Sequence, residues 1–512
     1  MASCTNSSQK AIIKRGGLNA KTGLVLFFIN TITAFILNPI LVGYFGAYFF
    51  GIWKSIDKYL GFASIADGKG VQALKWTIAK DESSEDEEQK KRFVGSAIIV
   101  WAIFLPILIT IIVTIAYLSP TLISNIQESD QGLVLTIILL LGLNLIITPL
   151  LNISEAVLVG TNRGYLVNYI RISWLIITFI VTYMVVFLEF GLEELAISVV
   201  LITLLRGVTY FIVAKKEVSW FATMKPTKAE LKSFFKFSSW KLAWSFVARF
   251  LMASEVIFLS ILIGPSLVSS YIFTAYLVVT GISITAIVTS SFNPGIGRMY
   301  GGGEYDACQR VIGNLREAVL AFSIFIGAII LLLNQSFITL WVGEELFLGS
   351  SANLLIVFIL IQLLLIRNEA FLIDVSLTIK NKVLLGMSSI ILSSLFAIVG
   401  YHYIHPSITT IFIGIFLGRL PILFIFPIMV NKIMKNEKKP TFSLKLSIYI
   451  MIILGVSYTI GTQQIFDSWW TLILLGGLES LVLMGAVYLF LLRQENQVLI
   501  KDKFLNKIKK RI

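Results

Sequence analysis

The residues that build most metal and redox sites are nearly missing: the chain has two cysteines and two histidines in 512 residues. Cys4 and Cys308 form no CxxC or Cys/His cluster, and His402 and His405 are the only imidazoles. A zinc or haem site therefore has almost no ligands to draw on, and neither a metal nor a bound cofactor is expected. Charge is scarce as well, at 14% of residues against ~25% in ordinary soluble domains. That scarcity excludes a soluble globule. The net charge of +13 is spread over many short loops. It forms no single patch with interleaved aromatics, so nucleic acid is not an expected partner. The short alternating strands of a membrane β-barrel are missing too. The first twenty residues are polar and basic, with no apolar core of signal-peptide type and no cleavage site, which predicts that no leader is removed.

What the sequence has is apolar length. Hydrophobic residues make up 57% of it, and runs of ~20 apolar residues cross a bilayer as helix. Such runs predict helices at roughly 22–43, 48–76, 94–118, 132–158, 165–188, 194–214 and 236–263. Seven more follow at 266–294, 312–333, 351–377, 383–401, 408–430, 446–462 and 469–492. The fold class expected is an all-α polytopic membrane protein with about 14 transmembrane helices. The loops give an independent test, because cytoplasmic loops collect Lys and Arg. Every second connection, beginning with the N-terminus and ending with the tail from Arg493, together holds 32 of the 42 basic residues. The intervening loops at 44–47, 119–131, 189–193, 264–265, 334–350, 402–407 and 463–468 hold none. Both termini are therefore expected in the cytoplasm. Both cysteines then fall on the cytoplasmic side, where a disulfide is not expected.

Some connections have readable structure. Thr227 and Glu230 make a capping box ahead of Leu231, Phe234 and Phe235, with Lys228, Lys232 and Lys236 interleaved. This predicts a short amphipathic helix on the cytoplasmic leaflet. The acidic run at 81–88 reads as a solvated loop, since blocks of like charge repel. ILVGYFGAY (40–48) and ILIGPSLVSSY (261–271) form a faint repeat, and the turns GTNR (160–163) and TIKNK (378–382) fall at corresponding places. Two pseudo-symmetric six-helix lobes around a central cavity would follow, as in many transporters. The expected division is an N-terminal lobe at 1–214, a cytoplasmic linker at 215–235, a C-terminal lobe at 236–430, two further transmembrane helices at 431–492 and a basic cytoplasmic tail at 493–512.

Charges inside the helices are the candidate functional residues. Lys75, Arg171 and Lys241 lie near cytoplasmic ends and can snorkel, and Lys54 lies near an outer end. Lys58, Lys69, Arg206, Arg249, Arg367 and Arg419 are deeper, with Asp57, Asp67, Glu255 and Glu369 at similar depth. Each costs ~2.5–3.5 kcal/mol at mid-bilayer unless it faces an aqueous cavity or a partner. On the second helix, Lys54, Asp57, Lys58, Gly61, Ile65, Gly68, Lys69 and Gln72 fall on one face at 100° per residue. The tenth helix places Arg367 and Asp374 on one face. The excess of cations favours an anionic ligand such as a phosphate. The plain alternative is that these residues form interhelical ion pairs that fix packing. The candidate ligand-binding cations are Lys54, Lys58, Lys69, Arg249, Arg367 and Arg419. The candidate coupling acids, for a proton or sodium ion, are Asp57, Glu255, Glu369 and Asp374.

Five segments carry a resemblance: LVGYFGAYFFGIW (41–53), DGKGVQALKW (67–76), LVGTNRGYLVNYIR (158–171), EVIFLSILIGPSLVSSYIFTAY (255–276) and FITLWVGEE (337–345). In their order and spacing, over nearly the whole chain, they resemble the multidrug/oligosaccharidyl-lipid/polysaccharide exporter superfamily. Within it the chain is similar to the Wzx-type polysaccharide (O-antigen) flippases. The resemblance implies translocation of undecaprenyl-diphosphate-linked oligosaccharide across the bacterial inner membrane by alternating access, with no enzymatic step. Cavity cations would neutralise the diphosphate. Membrane lipids, a polysaccharide polymerase and a chain-length regulator are the implied partners. Glu255 departs from the Asp that many relatives carry there. Lipid II flippases of the superfamily place arginines on their first, second and eighth helices. The cores of the first and eighth helices here have neither Arg nor Lys. A cation-coupled multidrug exporter is the alternative within the superfamily. A polysaccharide polymerase or glycosyltransferase is the alternative of another class. The first would be expected to carry a large basic outer loop, and the second a catalytic domain. The longest outer loop, 334–350, has no base, and the longest cytoplasmic loop is about 22 residues.

Overall fold

The computed structural model describes residues 2–81, 84–236, 239–376, 379–435, 444–498 and 501. Part of the acidic run at 81–88, the first residue of the TIKNK turn, most of the 431–445 loop and most of the basic tail lie outside the described residues, as does the side chain of Lys241. Among the described residues every element is helical. Twelve helical stretches are long and apolar enough to cross a membrane, and the pair Pro265–Thr274 and Tyr276–Thr289, bent by 54°, makes a thirteenth.

The first stretch, Gly17–Asp67, has 51 residues. At ~1.5 Å per residue it would be roughly 75 Å long, more than twice the ~30 Å of hydrocarbon it must cross. Gly46 interrupts it at φ 78° and ψ 163°, a conformation in which a side chain would be strained. Lys54 Nζ donates to Asn38 Oδ1 at 3.3 Å. These residues stand eight positions either side of Gly46 and would be ~24 Å apart on a straight helix. The chain therefore folds back at Gly46, and the stretch is two crossings. That makes fourteen, as the apolar runs imply. The structure is a multi-span helical membrane protein.

The second crossing differs from expectation. Its α-helix stops at Ala63. A 3-10 turn covers Ser64–Asp67, Gly68 and Lys69 are left-handed (φ 70° and 52°), and a new helix runs Gly70–Lys80. The polar face read along 54–72 is thus cut after Gly61. The eighth run is broken as well, at Ala275 between Pro265–Thr274 and Tyr276–Gly301.

The chain's contacts define two compact units, Met1–Arg249 with Ile263–Ser266 and Phe250–Leu262 with Leu267–Ile512. The boundary falls inside the helix Ser239–Leu262 and not in the 215–235 linker. In the first unit, the linker is packed down. The capping box forms as read, with Glu230 N donating to Thr227 Oγ1 (3.2 Å) and Thr227 N to Glu230 Oε2 (2.8 Å). The helix it starts, Lys228–Lys236, is held by Arg92 Nε on Glu230 Oε1 at 3.0 Å and by Phe234 against Phe93. Trp220 and Phe221 are buried beside them. In the second unit the helices Lys380–Val399 and Ile408–Ile433 pack backbone to backbone. A Cβ on Gly418 would lie 2.2 Å from Ser393 N, so only glycine allows that approach.

Candidate functional site

Each deep charge has its own surroundings, and the two units treat them differently. In the first unit, the helical segment 47–63 presents Lys54, Asp57, Lys58 and Gly61 along one face, since positions three and four apart share a face. Gly61 leaves room on that face: a Cβ there would stand 3.0 Å from Arg249 Nη1. The Arg249 guanidinium, arriving on Ser239–Leu262, therefore lies over Gly61, one turn from Lys58. Phe62 and Phe246 meet edge to face at 5.8 Å and fix the approach of the two helices. Lys54 bonds Asn38 and lies over the Phe50 ring at 4.8 Å. Asp57 and Arg249 are exposed and Lys58 is half-buried. Among the described residues none of Lys54, Asp57, Lys58 and Arg249 is in an ion pair. Three cations and one carboxylate thus share this face, a surplus of two positive charges. Such an array can hold a group with two negative charges through charge-assisted hydrogen bonds.

Lys69 is not part of that array. Its ammonium pairs with Asp67 at 3.2 Å and donates to Ser64 O at 3.1 Å. It closes a turn, because the left-handed break separates it from the 54–61 face.

In the second unit the expected cavity cation Arg419 is fully buried. Its Nη2 bonds Glu255 Oε1 (3.0 Å), Ser254 Oγ (2.6 Å) and Leu251 O (2.8 Å). Arg419 has no accessible surface to present to a ligand, and Glu255 is bonded to it. Glu369 is likewise held, by a two-pronged pair with Arg316 (Nε–Oε1 2.7 Å, Nη2–Oε2 2.6 Å) that Asn431 extends. Asp374 is bonded by the buried Lys382. These three coupling candidates are thus in packing ion pairs. Arg367 is the exception in this unit. It has no carboxylate partner among the described residues, and its Nη1 lies 3.3 Å from Met252 Sδ.

Sequence reasoning missed three of the charged partners. Arg316, on the helix Tyr305–Val342, is not among the deep charges picked out by sequence. Lys382 was counted in a turn. Glu155 was passed over inside an apolar run, yet it accepts from both Lys75 (2.8 Å) and Arg171 (3.0 Å). An acid buried five residues before a basic turn was the available signal. No group of three His, Cys, Asp or Glu residues able to hold a metal occurs among the described residues.

The sequence matches no protein-family model and no curated protein. Solved structures do match. The lipid II flippase MurJ in an inward closed conformation aligns with a TM-score of 0.66 at 14% identity, over 92% of this chain and 99% of that one. An inward-facing multidrug resistance MATE family transporter of the MOP superfamily aligns with 0.65 at 16%, over 83% and 100%. A Vibrio cholerae MATE transporter gives 0.58 at 15%, over 84% and 99%. At these identities the likeness is one of fold. The chain has the fold of the MOP-superfamily transporters.

Proposed function

We propose that this protein is a flippase that carries undecaprenyl-diphosphate-linked oligosaccharide across the bacterial inner membrane by alternating access, for O-antigen or another surface polysaccharide. Both termini would lie in the cytoplasm. The observation that carries the reading is the array at Gly61: Lys54, Lys58 and Arg249 on one face with only Asp57 to offset them. Unpaired cations within a membrane span are costly. A diphosphate supplies the missing negative charge, and the lipid tail stays in the bilayer. Arg367, without a carboxylate among the described residues, is a candidate of the same kind within the second unit. The fold shared with a lipid II flippase supports a lipid-linked substrate. A polysaccharide polymerase and a chain-length regulator would be natural partners.

The fold shared with MATE transporters supports a second reading, a cation-coupled multidrug exporter. A site for organic cations would favour a surplus of acids, and the Gly61 face has the opposite sign. Alanine at Lys58, Arg249 and Arg367, one at a time, tests the two readings. Each variant should lose surface polysaccharide while remaining in the membrane. Normal export by all three overturns the flippase reading, and loss of cationic-dye efflux in its place would support the exporter. Asp57 is the coupling candidate left outside an ion pair. Asp57→Asn should make flipping in vesicles insensitive to an imposed proton or sodium gradient, and an unchanged gradient response removes it from that role.

A further inference from the structure

A second gathering of charge lies in the first unit, and the reading above makes no use of it. Glu155, on Ile153–Gly160, has a side chain only 4% exposed. One of its oxygens accepts both from Lys75 Nζ on Gly70–Lys80 and from Arg171 Nη2 on Gly164–Phe187. The buried phenol of Tyr210, on Leu192–Glu217, stands against Arg171. Arg206 lies one turn before Tyr210 on the same helix. Arg206 has no ion-pair or hydrogen-bond partner among the described residues. Lys75 and Arg171 therefore share one carboxylate, and Arg206 adds a further cation one turn from the Tyr210 phenol.

The depth and the openness of this cluster say what could offset it. Arg171 is seven residues from the start of its helix and Arg206 eleven from the end of its own, or ~10 and ~16 Å along the axis. Those ends carry the basic turn 160–163 and Lys215 and Lys216, the side on which basic residues collect. Arg171 reaches toward the headgroup level, and Arg206 lies ~6 Å farther in from the end of its own helix. The cluster is not sealed, because the Arg171 side chain is 43% exposed. The same two helices expose Ile176, Ile177, Leu205 and Val208, the apolar surface that acyl chains cover. Cations ranged from the headgroup level inward beside an acyl-facing surface complement the phosphate of an anionic lipid.

We infer that Lys75, Arg171 and Arg206 form a binding site for the phosphate headgroup of a membrane lipid, with Glu155 positioning Lys75 and Arg171. An anionic phospholipid and a polyprenyl diphosphate share this chemistry, and the experiment separates them. Arg206→Gln is the informative variant, because it leaves the Glu155 pairs intact. Arg171→Gln is the second, since Lys75 still answers Glu155. The full-length protein is placed in phosphatidylcholine nanodiscs with a trace of spin-labelled phosphatidylglycerol or spin-labelled phosphatidylcholine. The wild type should immobilise several-fold more of the phosphatidylglycerol label, and both variants should lose that preference at an unchanged melting temperature. Displacement of the label by equimolar undecaprenyl diphosphate would support the site with the substrate as its preferred occupant. Displacement only by excess phosphatidylglycerol would support it with a phospholipid there. Equal immobilisation of the two labels by the wild type, or an undiminished preference in Arg206→Gln, overturns the site. The readout is binding and not export, so this failure would leave the flippase reading standing.

Discussion

The two units meet the same cost in different proportions. In the second, three buried carboxylates are closed by a base: Glu255 by Arg419, Glu369 by Arg316 and Glu317 by Arg493. In the first, Lys54, Lys58, Arg206 and Arg249 have no carboxylate within ion-pair distance among the described residues. Depth in the membrane is therefore a poor guide to role. A deep charge whose partner is built into the fold is part of the packing. A deep charge without one is available to a ligand.

The largest test of this contrast is the Arg419–Glu255 pair. Glu255→Gln leaves a buried guanidinium whose Nε and Nη1 already lack acceptors, and removing one member of such a pair costs about 3–5 kcal/mol. The variant should melt well below the wild type and be depleted from the membrane. Replacing both members by apolar residues, Arg419→Met with Glu255→Leu, is often neutral or stabilising, so the double variant should recover most of the loss and export normally. A stable double variant that no longer exports would return this pair to the transport site and break the contrast.

Two glycines sharpen it at smaller scale. An alanine methyl at Gly418 would lie 2.2 Å from a backbone nitrogen, which cannot yield, whereas at Gly61 it meets only the far end of Arg249 at 3.0 Å. Gly418→Ala should destabilise by ~1–3 kcal/mol, the usual range for overpacking. Gly61→Ala should leave the melting temperature nearly unchanged, yet lower export several-fold by displacing the guanidinium. Equal melting temperatures for both variants would show that the close approach at Gly418 is not needed.

The smallest effect concerns the docked linker. Partial burial alone would raise the Glu230 carboxyl, but the Thr227 amide, the Arg92 guanidinium and the Thr227 hydroxyl outweigh it and hold the group below the usual carboxylate range. A depressed carboxyl stabilises the folded form above its unfolded pKa of ~4.3 and loses that contribution as pH falls through the lowered value. Amide exchange over 218–236 should therefore speed up below about pH 4.3. Glu230→Gln should exchange faster at neutral pH and show no such step. A step that survives in Glu230→Gln would assign it to another group.

The fold was legible because its two signals are independent. Apolar runs count the crossings, and basic loops on alternate sides check the count. The capping box at Thr227 was legible for a local reason, since its partners are three residues apart. The break at Gly68 and Lys69 was not, although DGKG at 67–70 has turn chemistry. An apolar run on either side made a continuous helix the simpler reading. The site was half legible. Lys58 and Gly61 share a face by helical geometry alone, but nothing local announces that Arg249, 188 residues later, lies over that glycine. The pairing of Glu255 with Arg419, 164 residues apart, is hidden in the same way, as is that of Glu369 with Arg316. Long-range pairs decide which charges are spare, and a single sequence carries no record of them.

The reversal at Gly46 bears on how the chain is made. The connection at 44–47 gives the synthesis machinery no polar segment to thread across between the first two crossings. The second of them carries Lys54, Asp57 and Lys58, each costing ~2.5–3.5 kcal/mol at mid-bilayer, and is a poor candidate for partitioning into lipid unaided. The run at 22–43 has no charged residue. Turned back at a single glycine, with the Lys54 ammonium on Asn38, the two form a hairpin whose apolar arm offsets the cost of placing the charged arm in the bilayer.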